Sequence, residues 1–529
     1  MNLDTGTGMK SKGVIAAGHE ETAKAGQIIL QEGGNAFDAA LGALCAACVA
    51  EPVLASLGGG GFFLARPAAR GGYPVVYDFF AQTPQHRKNS KEVDFFPIIA
   101  DFGQAEQEFH IGMGTMATPG VVKGLFEVHK DLGKMPMARI VEPAMQLAMD
   151  GVRINRLQDY IFTVVEKIYI SNETCLNAYG SPERPGKLAR EGDILCFADF
   201  ADTLDSLARE GEGLFYRGEI AATLAADCQQ NGGYLRRDDL EAYQVERRQP
   251  FELSYGNARI LTNPPPSTGG ILIAFALALL ADCGLEGLKS GGEGHLQHLA
   301  SAMMLTNEAR IESNLHQGED VGANDTLLDA DFLETYRARI LGHPLSRRGT
   351  THISVIDAAG NAASLSVSNG EGSAYIVPGT GIMINNMLGE EDINPHGFNL
   401  WPEDIRMCSM MAPSLIEGLG GETTVLGSGG SNRIRTAILQ VMVNLIDFKM
   451  PLTEAIESPR IHFEKGLLSL EDGFAEAELA ALQGRVGEIK TWGERNMFFG
   501  GVHAARFDPA RGHLEGAGDP RRGGVTLRA

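Results

Sequence analysis

The stretch that decides the expected fold is SRRGTTHISVIDAAGNAASLSVS, residues 346–368. Two runs of alternating apolar and polar residues flank the turn sequence DAAGN, which is the pattern of a β-hairpin. Pairing the two runs about this turn sets Ser354 opposite Ser364 and Thr350 opposite Ser368. The sequence therefore predicts a hairpin that begins at a threonine.

Thr350 is a candidate nucleophile only if it becomes the first residue of a chain. A threonine hydroxyl is a weak nucleophile at neutral pH and needs a base within hydrogen-bond reach. Its own α-amine, with a pKa of about 7.7–8.0, can serve once the preceding peptide bond is cut. Cleavage between Gly349 and Thr350 would give pieces of 349 and 180 residues, and glycine tolerates the strained backbone of such a cut. The alternative is an ordinary strand residue.

The composition indicates a folded protein and excludes some partners. Hydrophobic residues make up 44% and charged residues 21% of the 529 residues, which is ordinary globular usage. A net charge of −22 repels polyphosphate, so nucleic acid is not an expected partner. The apolar runs at 39–50 and 271–281 are shorter than the ~20 residues that span a bilayer, so no membrane partner is expected and both runs predict core helices.

The N-terminal sequence and the spacing of the cysteines both indicate a reducing compartment. The first residues lack an apolar stretch followed by a small-residue cleavage site, so we expect a cytoplasmic protein. Seven cysteines without regular spacing do not predict a disulfide framework. Cys45 and Cys48 lie in an alanine-rich run and are predicted to pack in a helix. No metal or cofactor site is expected, since neither HExxH nor paired CxxC motifs occur.

Helix signals bracket the central hairpin. Residues 19–52 predict two helices that are separated at Gly33 and Gly34, with Asn35 capping the second. The proline-rich residues 263–270 predict the entry to an apolar helix. The glycines of TPGVVKGLFEVHKDLG, residues 118–133, indicate turns.

The glycine run SLGGGG, residues 56–61, has two interpretations. It predicts close backbone packing against the active-site strands. The alternative, a phosphate-binding loop, lacks the Lys-Ser/Thr pair and the capped helix that such a loop needs.

An ordered set of motifs resembles the gamma-glutamyltransferase family of N-terminal-nucleophile hydrolases, from about residue 13 to the end. The motifs are GVIAAGHEETAKAG, GGNAFDAA, SLGGGGFFL, ATPGVVKG, GEGLFYRGEIA, GGYLRRDDLEAY, PPPSTGG, GTTHISVIDAAGN, PGTGIMINN, GSGGSNRI, SPRIHFE and GAGDPRR. The resemblance implies an α+β fold, a four-layer αββα sandwich with two central antiparallel sheets. It also implies a precursor that cuts itself into a large segment, 1–349, and a small segment, 350–529, which form one interwound unit.

The resemblance assigns roles to residues around the cut. Thr350 would be the new N-terminus and nucleophile, and Ser368 would buttress it. The backbone N–H groups of Gly430 and Ser431 would form the oxyanion hole, although a tight turn is the alternative for that glycine-rich segment. Thr351 occupies the family's second threonine position, for which simple strand packing is the alternative.

The chain departs from the family where the γ-glutamyl carboxylate is bound. A family strand with Asp-Phe-Arg-Glu supplies an arginine that clamps this carboxylate, whereas this chain has Phe80 in the arginine position. Loss of a bidentate arginine–carboxylate pair weakens recognition unless another cation replaces it. Arg87 is a candidate replacement.

Other departures also remove polarity. Ser409 and Met410 keep only half of the family's paired serine motif, and Met387 stands where the family usually has Gln or Glu. Glu390 stands where an aspartate would hold the α-amine, with a solvated acidic loop as the alternative. Together the changes predict a more apolar substrate pocket.

The leading hypothesis is an autoprocessed amide hydrolase or acyltransferase that passes an acyl group from Thr350 to water or an amine. Its partner would be a small-molecule amide, and the glutamyl specificity is in question. Two alternatives stay open: an ordinary gamma-glutamyltransferase or glutathione hydrolase with a relocated carboxylate clamp, and an unprocessed pseudoenzyme that acts as a binding protein. His352 lies on the same strand side as Thr350 and is interpreted as a structural histidine.

Overall fold

The structure is a computed structural model that describes residues 11–69, 72–101, 106–281, 283–312, 350–394, 397–464, 466–482 and 488–529. Gly349, on the upstream side of the expected cut, lies outside the described residues. The strands are β1 (Gly13–Ala17), β2 (Gly60–Arg66), β3 (Val75–Phe79), β4 (Phe96–Asp101), β5 (Glu106–Ile111), β6 (Val152–Arg153), β7 (Ile194–Leu195), β8 (Glu246–Arg248), β9 (Phe251–Tyr255), β10 (Ala258–Thr262), β11 (Thr351–Asp357), β12 (Ala362–Ser368), β13 (Ile376–Val377), β14 (Ile382–Met383), β15 (Ser414–Gly418), β16 (Thr423–Gly429), β17 (Ile461–Glu464), β18 (Leu467–Leu470), β19 (Glu488–Thr491), β20 (Gly501–Asp508), β21 (His513–Ala517) and β22 (Val525–Arg528). The α-helices are α1 (Glu20–Gln31), α2 (Ala36–Ala50), α3 (Val121–Leu132), α4 (Met137–Asp150), α5 (Arg156–Val164), α6 (Glu166–Tyr169), α7 (Glu173–Tyr179), α8 (Ala198–Glu210), α9 (Gly213–Tyr216), α10 (Glu219–Gln230), α11 (Arg237–Ala242), α12 (Gly269–Leu280), α13 (Glu293–Glu312), α14 (Arg433–Ile446), α15 (Leu452–Glu457) and α16 (Glu476–Leu482).

The first of two large sheets contains the predicted hairpin. Its strand order is β22-β1-β11-β12-β2-β3-β8, and each neighbouring pair is antiparallel. Strands β11 and β12 pair with Thr351 opposite Val367 and Ser354 opposite Ser364. The register predicted from the sequence is confirmed. Strand β1 lies between β22 and β11, so a strand from before residue 349 is paired on both sides with strands from after it.

The second large sheet, in the order β21-β20-β16-β15-β10-β9, packs against the first. Serine hydroxyls of the β11–β12 hairpin donate hydrogen bonds across the interface to backbone carbonyls of the second sheet. Ser354 Oγ donates to the Val425 and His503 carbonyls at 3.3 and 3.1 Å, and Ser364 Oγ donates to the Leu426 carbonyl at 3.0 Å. These buried hydroxyls are satisfied by hydrogen bonds, as buried polar groups must be.

His352 occupies the same interface. Its two ring nitrogens lie 2.8 Å from Ser366 Oγ and 3.0 Å from Ser354 Oγ, and a Cβ atom on Gly427 would fall 2.3 Å from the ring. Burial lowers the pKa of His352 well below its usual range. The ring is therefore neutral and hydrogen-bonded inside the sheet interface, as expected for a structural histidine.

Helices pack on both sheets. Every residue of α2 is buried, and Asn35 and Asp38 form the capping box at its start. Cys45 and Cys48 lie in this helix as free buried thiols, which confirms the packing interpretation. On the second sheet, α14 packs on β16 and α12 packs on β9. The mixture of helix and sheet predicted from the sequence is confirmed.

The turns predicted within residues 118–133 are wrong in part, because Val121–Leu132 form helix α3. Its interior glycine has a packing reason. A Cβ atom on Gly124 would lie 2.3 Å from the ring of Phe79, so the glycine lets β3 and the helix approach closely. None of the helices in the described ranges has both the length and the apolar character needed to cross a bilayer.

Candidate active site

Thr350 lies immediately before β11, buried at 3% exposure. Because side chains alternate along a strand, it is on the face shared by His352 and Ser354, toward the second sheet. Gly429, the last residue of β16, lies so close that a Cβ atom there would fall 1.8 Å from the Thr350 carbonyl oxygen. The candidate nucleophile therefore sits where the ends of β11 and β16 meet.

Gly430 and Ser431 form the turn between β16 and α14. Their φ angles are +121° and +51°, and the second is uncommon for a residue with a side chain. The Gly430 carbonyl accepts from Arg433 N–H at 3.1 Å, and the Ser431 carbonyl accepts from Ile434 N–H at 2.9 Å. The turn thus leads directly into a helix whose N-terminal end favours negative charge.

Ser368 ends β12, one register position beyond the Thr351–Val367 pair. Its Oγ accepts a hydrogen bond from Gly370 N–H at 3.1 Å. Glu390 reaches the same segment, since a Cβ atom on Gly370 would fall 2.3 Å from Glu390 Oε1. Glu390 is buried, so the solvated-loop alternative for this carboxylate is wrong.

Thr351 points to the opposite face and binds a carboxylate that the sequence did not single out. Thr351 Oγ1 donates to Glu51 Oε2 at 2.7 Å, and Thr22 Oγ1 donates to Glu51 Oε1 at 2.8 Å. Glu51 is the C-cap residue of α2 and is buried. These bonds fix the start of β11 to a helix end, which restrains the residue next to the candidate nucleophile.

Phe80 lies in an apolar contact with a neighbouring strand. Its ring stacks on Phe62 with centroids 5.4 Å apart. Asp78 pairs with Arg248 at 2.8 Å and Arg406 at 3.5 Å, and Arg406 Nη1 also donates to the Phe80 carbonyl at 2.6 Å. A buried arginine therefore holds the backbone of Phe80, while the side chain contributes only apolar surface.

The structure does not bring Arg87 to the pocket described below. Its backbone N–H and Nε lie 2.8 and 3.8 Å from Glu403 Oε1, and its side chain is 44% exposed. Ser409 and Met410 are buried against the start of α12, where the Ser409 carbonyl accepts from Thr268 N–H at 2.9 Å. Their part in substrate binding stays a prediction, as does that of Arg87.

A pocket opens beside this site. Arg522 connects the two, because it lines the pocket and its Nη1 lies 3.4 Å from the Thr350 carbonyl oxygen. Gly370 and Glu371, just after Ser368, also line it. The remaining lining residues are mostly apolar: Val53, Leu54, Tyr160, Ile161, Val164, Val165, Arg433, Trp492, Asn496, Met497 and Phe498.

The run of four glycines, residues 58–61, lets the start of β2 approach the end of β12 closely. Cβ atoms on Gly59 and Gly61 would fall 2.4 and 2.6 Å from the carbonyl oxygens of Ser368 and Ser366. The predicted close packing against the hairpin is confirmed.

The contact of Gly429 with Thr350 gives a testable result. In Gly429→Ala, the added methyl group must displace the Thr350 carbonyl, and a displacement of about 1 Å at a reacting centre costs on the order of 10²-fold in rate. We expect self-cleavage, followed by gel electrophoresis over time, to slow by about that factor. Gly493→Ala is the matched control, because a Cβ atom there has no neighbour within 4 Å, and equal cleavage rates of the two variants would contradict the expectation.

Comparisons with known proteins give one family match and several similar chains. The family model described as Gamma-glutamyltranspeptidase matches residues 22–529. A glutathione hydrolase proenzyme of Escherichia coli strain K12 is 28% identical over 96% of this chain and 90% of its own length. An acylase ACY 1 proenzyme of Pseudomonas sp. strain V22 is 30% identical over 98% and 93%. The crystal structure of a cephalosporin acylase from Bacillus halodurans superposes with a TM-score of 0.83 over 100% of this chain and 98% of that one, at 22% identity.

Proposed function

We propose that this chain, which belongs to the gamma-glutamyltranspeptidase family, is an autoprocessed amide hydrolase or acyltransferase with Thr350 as its N-terminal nucleophile. The observation that carries the proposal is the position of Thr350 at the buried junction of β11 and β16, against Gly429 and the turn at Gly430 and Ser431. Relatives of both kinds, the glutathione hydrolase and the acylase, are named proenzymes, which supports a chain made as a precursor. The proposal includes the four-layer αββα arrangement and segments that meet at Gly349 and Thr350.

The proposed reaction uses one residue as both base and nucleophile. After cleavage, the Thr350 α-amine takes the proton from Oγ while Oγ bonds to the amide carbon of the substrate. The N–H groups of Gly430 and Ser431 stabilise the oxyanion, and the Ser368 hydroxyl orients the nucleophile. The α-ammonium then returns the proton to the leaving amine as the C–N bond breaks. Water or an amine acceptor releases the acyl group from the acyl-threonine and restores Thr350.

We further propose that the acyl group is less polar than glutamyl. The similarities to a glutathione hydrolase and to an acylase are nearly equal, so they do not separate the two substrate classes. Phe80, Met387 and Met410, which replace polar family positions, are all buried members of one hydrophobic cluster. Such a cluster does not compensate the charges of a glutamyl end group, because burying an unpaired charge is costly.

A substrate comparison tests this specificity. We expect kcat/KM for apolar acyl 4-nitroanilides to exceed that for γ-glutamyl 4-nitroanilide by about tenfold or more, the value of one lost charged hydrogen bond. Free glutamate, added as a competitor, should not inhibit. Preferred hydrolysis of the γ-glutamyl anilide with inhibition by glutamate would instead support an ordinary gamma-glutamyltransferase with a relocated clamp. A purified chain that never cleaves and hydrolyses neither substrate would support the binding-protein alternative.

A further inference from the structure

After cleavage, the proposed nucleophile is the first residue of a chain, and chain ends fray unless other groups hold them. The backbone pairing that holds this end of β11 is one-sided. Strand β12 pairs with β11 as far as Thr351 opposite Val367. The ladder between β11 and β1 ends earlier, at Ile353 opposite Ala17. Residues 350–352 therefore lie beyond the β1 ladder, on the side of β11 that faces the large segment.

A side-chain hydrogen bond attaches β11 to the large segment just beyond that ladder. Thr351 Oγ1 donates to Glu51 Oε2 at 2.7 Å, and Thr22 Oγ1 donates to the other carboxylate oxygen at 2.8 Å. All three residues are buried. Hydrogen bonds to a carboxylate are about twice as strong as those between neutral groups. The bond from Arg522 Nη1 to the Thr350 carbonyl, at 3.4 Å, is the longer and weaker of the two side-chain bonds described at this end.

The backbone around Glu51 holds its carboxylate in place. Glu51 is the C-cap residue of α2, where its N–H donates to the Ala47 carbonyl at 2.7 Å. Its own carbonyl accepts from Ala55 N–H at 2.9 Å. Gly18 leaves room for the hydrogen bond, because a Cβ atom there would lie 2.7 Å from Glu51 Oε2 and 3.2 Å from Thr351 Oγ1. The acceptor for Thr351 is therefore fixed by a helix end and not by a mobile side chain alone.

We propose that Glu51 is a positioning residue that holds the new chain end in the attacking geometry through the Thr351 hydroxyl. The inference rests on the proposed function and deepens it, because a nucleophile and a base on one residue act together only while that residue stays in place. Before the cut, peptide bonds hold Thr350 on both sides. After the cut one of these bonds is gone, so the Glu51–Thr351 hydrogen bond matters more for turnover than for self-cleavage.

The test compares two nearly isosteric substitutions that each remove one hydroxyl from the same carboxylate. Thr351→Val removes the bond to the chain end, and Thr22→Val, the matched control, removes only the bond to α1. The substrate is hexanoyl 4-nitroanilide, or γ-glutamyl 4-nitroanilide if the wild type prefers it. On self-cleaved protein we expect Thr351→Val to lower kcat about tenfold or more and to change KM less than about twofold, because attack is misaligned while the acyl pocket is unchanged. Thr22→Val should keep kcat within about twofold, and Thr351→Ser, which keeps the hydroxyl, should do the same.

Fraying of the chain end is also measurable without catalysis. Aminopeptidase digestion of self-cleaved protein, followed by mass spectrometry, reports the removal of residue 350 from the small fragment. We expect Thr351→Val to lose this residue about tenfold faster than the wild type and than Thr22→Val. Urea unfolding should show similar losses of stability in the two valine variants, because each removes one hydrogen bond from Glu51.

The outcomes separate the inference from the function beneath it. Equal kcat values and equal aminopeptidase rates in the two valine variants would overturn the role of Glu51. A loss of kcat in Thr351→Ser as large as that in Thr351→Val would do the same. A Thr351→Val chain that folds but stays uncut, beside a Thr22→Val chain that cleaves, would overturn the explanation by chain-end fraying. Absence of self-cleavage and of all amidase activity in the wild type would instead overturn the proposed function.

Discussion

Replacement of Thr350 by alanine is expected to leave one uncut chain of 56.6 kDa without amidase activity. The variant lacks the hydroxyl that attacks the preceding peptide bond, so no new α-amine forms, and it also lacks the oxygen that would carry the acyl group. Removing a nucleophile of this kind typically costs on the order of 10⁶-fold in kcat. Intact-mass analysis and an anilide assay on the same preparation measure both effects.

Thr350→Ser is the matched variant, since serine keeps the hydroxyl and, after cleavage, the amine. We expect it to give two fragments and measurable activity. N-terminal sequencing of active wild-type material should read Thr-Thr-His-Ile for the small fragment. An uncut chain that hydrolyses amides would rule out Thr350 as an N-terminal nucleophile.

Replacement of Asp519 by alanine should produce the largest loss of stability. Asp519 is fully buried and pairs with Arg460 at 2.6 Å and Arg521 at 3.2 Å, and it accepts from Val502 N–H at 2.9 Å. Alanine would leave Arg460 buried without its carboxylate, and breaking a buried ion pair costs about 3–5 kcal/mol. Urea unfolding should show this loss. Asp205→Ala, which removes an exposed pair with Arg209, should change stability by about 0.5 kcal/mol or less.

The stability from Asp519 should also depend on pH. Burial by itself would raise the pKa of Asp519, but Arg460 and Arg521 outweigh burial and lower it below the usual value. Because the pKa is lower in the folded chain than in the unfolded one, where it is about 3.9, the contribution is complete above that pH. It is lost as the pH falls through the folded value. The difference in unfolding free energy between wild type and Asp519→Ala should therefore be constant from pH 7 to 5 and shrink below about pH 4; a difference that grows in acid would contradict it.

Sequence patterns correctly predicted the secondary-structure elements whose form depends on neighbouring residues in the chain. The hairpin register follows from strict alternation about DAAGN, and Thr351 opposite Val367 confirms it. The start of α2 follows from capping chemistry at Asn35. Helix α3 was missed because its glycines read as turns, whereas Gly124 makes room for a ring that comes from β3. Tertiary packing there overrode the local preference.

Only those residues of the candidate site that belong to recognisable motifs were predicted from the sequence. Thr350 and Ser368 lie at adjacent strand ends, and the Gly430–Ser431 turn lies beside them, so the residues named from the hairpin and the glycine-rich segment do come together. Glu51 and Arg522 were not singled out, because each reaches the site from a distant part of the chain and nothing in its local sequence indicates burial. The one available signal was the second arginine of GAGDPRR, which alone does not tell a buried guanidinium from an exposed one.

The place of β1 in its sheet has a consequence for the cut protein. This strand is hydrogen-bonded on one side to β11 and on the other to β22. A strand of the large segment is therefore paired on both sides with strands of the small segment. Severing the backbone before Thr350 would leave those ladders intact, and the halves could separate only by global unfolding. A cleaved sample should thus leave a size-exclusion column as a single particle, and it should yield two free polypeptides only in denaturant.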